Sequence, residues 1–135
     1  MPSFAPKTRV EVYLPVRYEA AYQDTLAWVI REFTELHGGC TIIENAGGYY
    51  LSNSNQIIDD RVSLIYCDLP MNWTKRRDRN EALKYCAELQ AFLLKNLWEE
   101  SVLIAAHPVA HAQYKDFLVR QNSGHGLASG KDKAG

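Results

Sequence analysis

Long hydrophobic runs are missing from this chain, and so is any excess of charge of one sign. No stretch of about 18 consecutive apolar residues occurs, which excludes a membrane-spanning helix. The opening MPSFAPKTRVEVYLPV has no apolar core of the kind a cleaved leader needs, so secretion is not expected. Against 16 Asp and Glu stand 15 Lys and Arg, a formal net charge of −1, so the chain as a whole is not drawn to nucleic acid or anionic membrane. Cysteine is sparse. The three present are an odd number without framework spacing, which suits reduced thiols and a cytoplasmic protein. Also absent are a phosphate-binding loop, a dinucleotide fingerprint, a Ser-x-x-Lys motif and a nucleophile elbow. No catalytic residue and no cofactor is therefore assigned.

What is present is ordinary globular material. The 135 residues, 47% of them apolar, suffice for one domain with its own core. Residues 1–6 carry Pro2 and Pro6 and few anchors, and read as a loose lead-in to a single domain over 7–120. In TRVEVYLPV, Val10, Val12 and Leu14 alternate with Arg9, Glu11 and Tyr13, the period of a strand that Pro15 ends. From about Glu19 the spacing changes to threes and fours through Tyr22, Leu26, Val29, Ile30, Phe33 and Leu36. That is an amphipathic helix, with Gly38 placed as its left-handed cap. CTIIEN is a short strand. Ala46-Gly47-Gly48 reads as a turn, and YYLSN as the returning strand of a hairpin.

SNSNQ is a polar loop tip, and RVSLIYCDLP is the next strand, with Val62, Leu64 and Tyr66 on one face and Ser63, Ile65 and Cys67 on the other. A second helix follows, with Asp78 and Glu81 at capping-box spacing or a start as early as Thr74. Its buried stripe is Ala82, Cys86, Leu89, Leu93 and Leu97, widened by Leu83 and Phe92. SVLIAAHPV is a last strand ended by Pro108. A short helix with Tyr114, Phe117 and Leu118 closes the domain, and 121–135 is a flexible tail. The expected core is Val10, Val12, Leu26, Val29, Ile30, Phe33, Val62, Leu64, Leu89, Leu93 and Ile104.

Two helices that each follow a strand make two right-handed βαβ halves, with both helices on one face of an antiparallel sheet. The fold class is α+β, a ferredoxin-like βαββαβ sheet with a short C-terminal helix. The strands carry apolar residues in both registers (Ile42 and Ile43, Leu64 and Ile65, Leu103 and Ile104), so the face without helices also needs a cover. The simplest cover is another copy of the chain, and a homo-oligomer is expected.

The helix that ends just before GGCTII resembles the CutA branch of the PII-like (GlnB-like) proteins. The resemblance continues through QIIDDRVSLIYCD and returns at VLIAAHPVAHAQYKDFL, spanning most of residues 8–119. Tyr49 and Tyr50 stand where that family has a hairpin tryptophan, and CDLP replaces a basic strand end. The resemblance implies a trimer, in preference to a dimer, with strands packed between subunits, and metal binding at Cys40.

Four candidate regions stand out. His37 and Cys40 offer an imidazole and a thiol three residues apart, with Cys67 available across the sheet for copper or zinc. The competing reading, which we favour, makes Cys40 a small buried hydrophobe and His37 a complement to the helix C-terminus. Trp73, Arg76 and Arg77 beside a helix N-terminus can hold a small anionic ligand, although a solvated turn is the plainer reading of KRRDR. Tyr49, Tyr50, Trp73 and Trp98 can line a ligand cleft or anchor a subunit interface. His107 and His111 share a helical spacing that Pro108 interrupts. The function expected is a non-catalytic oligomeric regulator that binds a small ligand, metal or protein. The alternative is a dimeric α+β barrel enzyme with a pocket between sheet and helices and a general base among His107, Tyr66 and Asp68. An RNA-binding sheet using Tyr13 and Tyr66 ranks last, because the charge balance is wrong.

Overall fold

The computed structural model describes residues 3–113. The expected closing helix with Tyr114, Phe117 and Leu118, and the tail 121–135, lie outside the described residues. The elements are β1 (Ser3–Pro15), α1 (Ala20–His37), β2 (Thr41–Leu51), β3 (Ile57–Leu69), α2 (Arg76–Asn96) and β4 (Leu103–Gln113). The four strands form one antiparallel sheet in the order β2-β3-β1-β4, the ferredoxin-like α+β plan expected from the sequence. Lys7–Val109 is one compact unit, and the packing described below is that of Lys7–Val109.

Both helices contribute to one core on one face of the sheet. From β1 it takes Val10, Val12 and Leu14, and from β3 Ile65, Cys67 and Leu69. Tyr22, Val29 and Phe33 of α1 and Leu89 and Leu93 of α2 lie against them, and Leu97 and Val102 close the end beyond α2. The helices also touch each other. The Trp28 and Phe92 rings stack with centroids 4.0 Å apart, and Tyr85 Oη donates to Glu32 Oε2 at 3.0 Å. Gly38 caps α1 in the left-handed region at φ 87°, its N–H returning to the Thr34 carbonyl, as the sequence indicates.

Several boundaries differ from the sequence reading, each for a physical reason. β1 starts at Ser3, inside the segment read as a lead-in. β2 does not turn at Ala46-Gly47-Gly48 but runs through it, pairing Gly47 with Arg61 and Gly48 with Asp60, and the hairpin turn is at SNSNQ instead. Glu44 and Asn45 together oppose the single residue between Val62 and Leu64, a bulge that shifts the alternation by one and makes one strand look like two. Asn45 takes the positive φ (56°) that this requires. Gly47 serves close approach, since a Cβ there would meet Arg61 Nη1 at 3.1 Å.

β4 likewise continues through Pro108 to Gln113. It is an edge strand, where a missing N–H need cost no ladder bond. His107 and His111 therefore lie on a strand and never share a helical face.

The core face of β3 is the opposite of part of the expected core. Ser63, Ile65, Cys67 and Leu69 are buried, while Val62 and Leu64 sit half-buried on the other face. Leu26 and Ile104 pack against the core from its margin, and Ile30 is only half-buried. Leu36 (64% exposed) and Leu83 (48% exposed) lie outside the buried stripes. No capping box forms at Asp78: α2 begins at Arg76 with Lys75 as an N-cap that makes no side-chain bond. Asp78 Oδ2 instead accepts from the backbone N–H of Asn72 at 2.9 Å, tying the preceding loop to the helix.

The exposure difference along α2 predicts two unlike mutants. Leu93→Ala, at a fully buried position, costs about 2–5 kcal/mol in urea unfolding. Leu83→Ala on the outer side stays within about 0.5 kcal/mol of the parent. Equal losses would mean that the helix is rotated from the orientation described here.

Candidate functional site

β3 runs on past the start of β2, and the α1–β2 junction folds over the strand end left open there. The result is a notch of about 240 Å³ lined by His37, Gly38, Gly39, Cys40, Thr41, Tyr66, Cys67 and Asp68. The structure thus brings together His37, Cys40 and Cys67, as the sequence allows. Cys40 is half-buried and lines this open notch, so it is not the fully buried hydrophobe expected. Its Sγ lies 3.8 Å from Thr34 Oγ1. His37 Nε2 is buried with no hydrogen-bond partner among the described residues, its ring meeting Tyr85 edge-on at 5.1 Å. Burial holds the imidazole below its ordinary pKa of 6.5, a fall that Glu32 partly offsets. A buried nitrogen left without a partner among the described residues is uncommon and marks this corner of the fold.

As a metal site the cluster is incomplete. Among the described residues no group of three or more His, Cys, Asp and Glu is placed to hold a metal ion. Cys67 contributes a thiol that is hard to ionise, since burial first, then Asp68 and the neighbouring thiols Cys40 and Cys86, push it up to about 12. Soft metals are held by thiolate, and here ionisation is resisted.

The other candidates do not share a site. Tyr49 (76% exposed) and Tyr50 (53% exposed) lie on the β2–β3 arm, paired with Asp59 and Ile58 near the start of β3. Trp73, Arg76 and Arg77 follow the far end of the same strand, whose 13 residues span roughly 40 Å. The five residues cannot line one cleft within a chain. Arg76 and Arg77 are exposed and line, with Asn80, Glu81 and Lys84, an open depression whose described walls all come from α2. Trp73 is half-buried, its carbonyl accepting from Arg79 Nη1 at 3.0 Å, and Trp98 is 90% exposed.

The sequence alone does not single out a polar cluster that lies on the face away from the helices. Arg9 holds Asp68 through two bonds, at 2.7 and 3.0 Å, and its guanidinium lies 4.1 Å from the centre of the Tyr66 ring. Glu11 accepts from Tyr13 Oη at 3.0 Å and meets His107 Nε2 at 3.0 Å. The signal is present in part, because Arg9, Glu11 and Tyr13 alternate with the core residues of β1. What lies out of reach is the strand order that sets them beside Asp68 and His107. Tyr66 and Asp68 belong to this cluster and also line the notch at the end of β3, whereas His107, bonded to Glu11, does not line it, so the three bases named for the barrel-enzyme reading do not share one pocket.

No protein-family model and no curated protein matches the sequence. Solved structures do match. The divalent cation tolerance protein (Cut A1) from Thermus thermophilus superposes with a TM-score of 0.51 at 12% identity, over 84% of this chain and 92% of that one. CutA1 from Oryza sativa matches at 0.46 and 14% identity, over 93% and 98%. A phage SAM lyase in complex with S-methyl-5′-thioadenosine matches at 0.46 and 18%, over 80% and 88%. At such identities the likeness is one of fold, and that fold is the one the sequence resemblance implied.

The buried thiol makes a prediction about pH. The folded chain holds the Cys67 proton from the ordinary value of 9.0 up to about 12. Stability from this group is therefore intact below pH 9 and drains as pH climbs through that window, by up to about 1.4 kcal/mol per unit. Urea unfolding at pH 8 and pH 10.5 is expected to show this loss in the parent and a smaller one in Cys67→Ala. Equal losses in the two would show that the thiol is not desolvated.

Proposed function

We propose that this chain is a non-catalytic, self-assembling binding protein of the PII/CutA-like kind, working as a trimer. One observation carries the reading: among the described residues, nothing covers the second face of the sheet. Val62, Leu64 and Tyr66 of β3 and Tyr13 of β1 are half-buried there, and Ile43 (49% exposed) and Leu103 (60% exposed) flank them. Beyond Pro15, whose partner is Val62, β2 and β3 continue as a two-stranded arm with Tyr49, Tyr50, Leu51 and Ile57 exposed. Two strands alone are marginal in water, and an apolar sheet face plus an apolar arm is the surface of an obligate contact.

The polar cluster supports the same reading. Paired groups such as Arg9–Asp68 and Glu11–His107 can be buried without leaving a charge unmatched. The likeness in fold to Cut A1 is consistent with assembly through this face. The notch at His37 and Cys40 is the ligand-holding region in this reading. A metal bound there takes further ligands from outside the described residues, because the described set is too small. No helix among the described residues is long and apolar enough to cross a membrane, and no membrane partner is invoked.

Light scattering on the full chain tests the proposal. The expected mass is three times that of the 15.4 kDa chain. Leu64→Glu, on the open face, should reduce it to that of one chain while leaving the helical circular dichroism intact. Tyr18→Glu, at a position 98% exposed, should leave it unchanged. A parent protein that is monomeric at tens of micromolar ends the reading.

A further inference from the structure

Cys40 and Cys67 stand in a relation that neither assembly nor ligand binding requires. In the β2–β3 ladder Thr41 faces Tyr66 and Ile42 faces Ile65, so the next antiparallel step sets Cys40 opposite Cys67. Both point to the helix side. Cys67 and Ile65 are buried there, Ile42 packs on the same core, and the Cys40 thiol reaches Thr34 of α1. Residues directly opposite in an antiparallel pair have Cα atoms about 4.5–5.5 Å apart. A disulfide needs about 4.4–6.8 Å.

The two thiols also differ in access. Cys40 opens onto the notch, while Cys67 is 3% exposed on a central strand. Cys40 follows Gly38 and Gly39, both at positive φ with nothing within 4 Å of where a Cβ would stand, so it sits on chain with room to adjust. The third thiol, Cys86, comes from α2 and is half-buried.

We infer that Cys40 and Cys67 form a redox pair, closing reversibly into an intrachain disulfide when the chain meets an oxidant of the peroxide class. In the first step the Cys40 thiolate attacks one peroxide oxygen. An S–O bond forms, the O–O bond breaks, and the departing hydroxide takes a proton to leave as water. In the second step the Cys67 sulfur attacks the sulfenic sulfur of Cys40. The S–S bond forms, the S–O bond breaks, and the Cys67 proton leaves with the oxygen as a second water. Two thiols lose two electrons and one peroxide gains them. The bridge ties the α1–β2 junction to β3 and removes both thiols from the notch wall. In a reducing compartment a pair of this kind is a sensor and not a structural staple.

Full-length protein, reduced and held in chelator so that bound metal cannot oxidise it, is treated with equimolar hydrogen peroxide and then alkylated. Trypsin cuts after Arg61, Lys75 and Lys84, which places Cys40, Cys67 and Cys86 on three separate peptides. The expected product is lighter by two hydrogens, about 2 Da before alkylation. It carries one alkylated thiol at Cys86 and one linked Cys40–Cys67 peptide pair, and dithiothreitol reverses it. Cys86→Ser should behave the same, and Cys40→Ala should give no bridge. Oxygen added stepwise at Cys40 without a bridge, a bridge that includes Cys86, or a bridge between two chains would each overturn the inference. Because the mapping is done on the parent protein, the outcome does not depend on whether a core variant folds.

Discussion

A sheet with apolar side chains on both faces, and helices among the described residues for only one of them, is the constraint from which the rest of this structure follows. On the helix side, Val10, Val12, Ile65 and Leu69 are sealed by α1 and α2. On the other side Val62, Leu64 and Tyr66 are left half-buried, flanked by the exposed Ile43 and Leu103. The polar groups on that face are not scattered. Arg9 is paired with Asp68 and Glu11 with His107 and Tyr13, as groups must be if they are to lose contact with water without a large desolvation penalty.

The bulge at Glu44–Asn45 extends this constraint into the arm. By shifting the alternation by one residue, it puts Ala46, Gly48 and Tyr50 on the side of Val62 and Ile58, so the open face continues along the arm. Gly47 makes room for the Arg61 guanidinium, and Arg61 Nη1 reaches the Asn45 carbonyl at 3.4 Å, which helps to hold the distorted segment in shape. At the opposite end of β3, the late start of β2 leaves the notch where His37, Cys40 and Cys67 meet. One strand thus carries an exposed apolar arm at one end and a cleft lined by two thiols and an imidazole at the other.

The fold is legible in the sequence because its signals are local. The alternation of Val10, Val12 and Leu14, the helical spacing through Val29 and Phe33, and Gly38 at the cap each report a neighbourhood of a few residues. Misreadings arise where a distant partner decides the outcome. Pro108 signals a strand end unless the strand is at a sheet edge, and Gly47-Gly48 signals a turn unless an arginine must cross the strand there. Val62 and Leu64 look like core because periodicity separates the two faces of β3 without saying which one meets the helices. The candidate site is legible to the same degree. Cys40, Cys67 and His37 do converge, whereas Tyr50 and Arg76 group together only by residue type and lie at opposite ends of one strand.

Amide hydrogen exchange on the β2–β3 arm tests most directly the claim that other copies of the chain cover what its own helices do not. The backbone bonds between Ala46–Leu51 and Ile57–Val62 belong to two strands with no third, among the described residues, beside most of their length. In a lone chain they exchange within seconds to minutes, as fraying structure does. If the arm and the open face are buried between subunits, protection along the arm approaches that of the central strands at high protein concentration and falls on dilution or in Leu64→Glu. Fast exchange on the arm at every concentration, beside a fully protected Val12 and Ile65, would contradict the account.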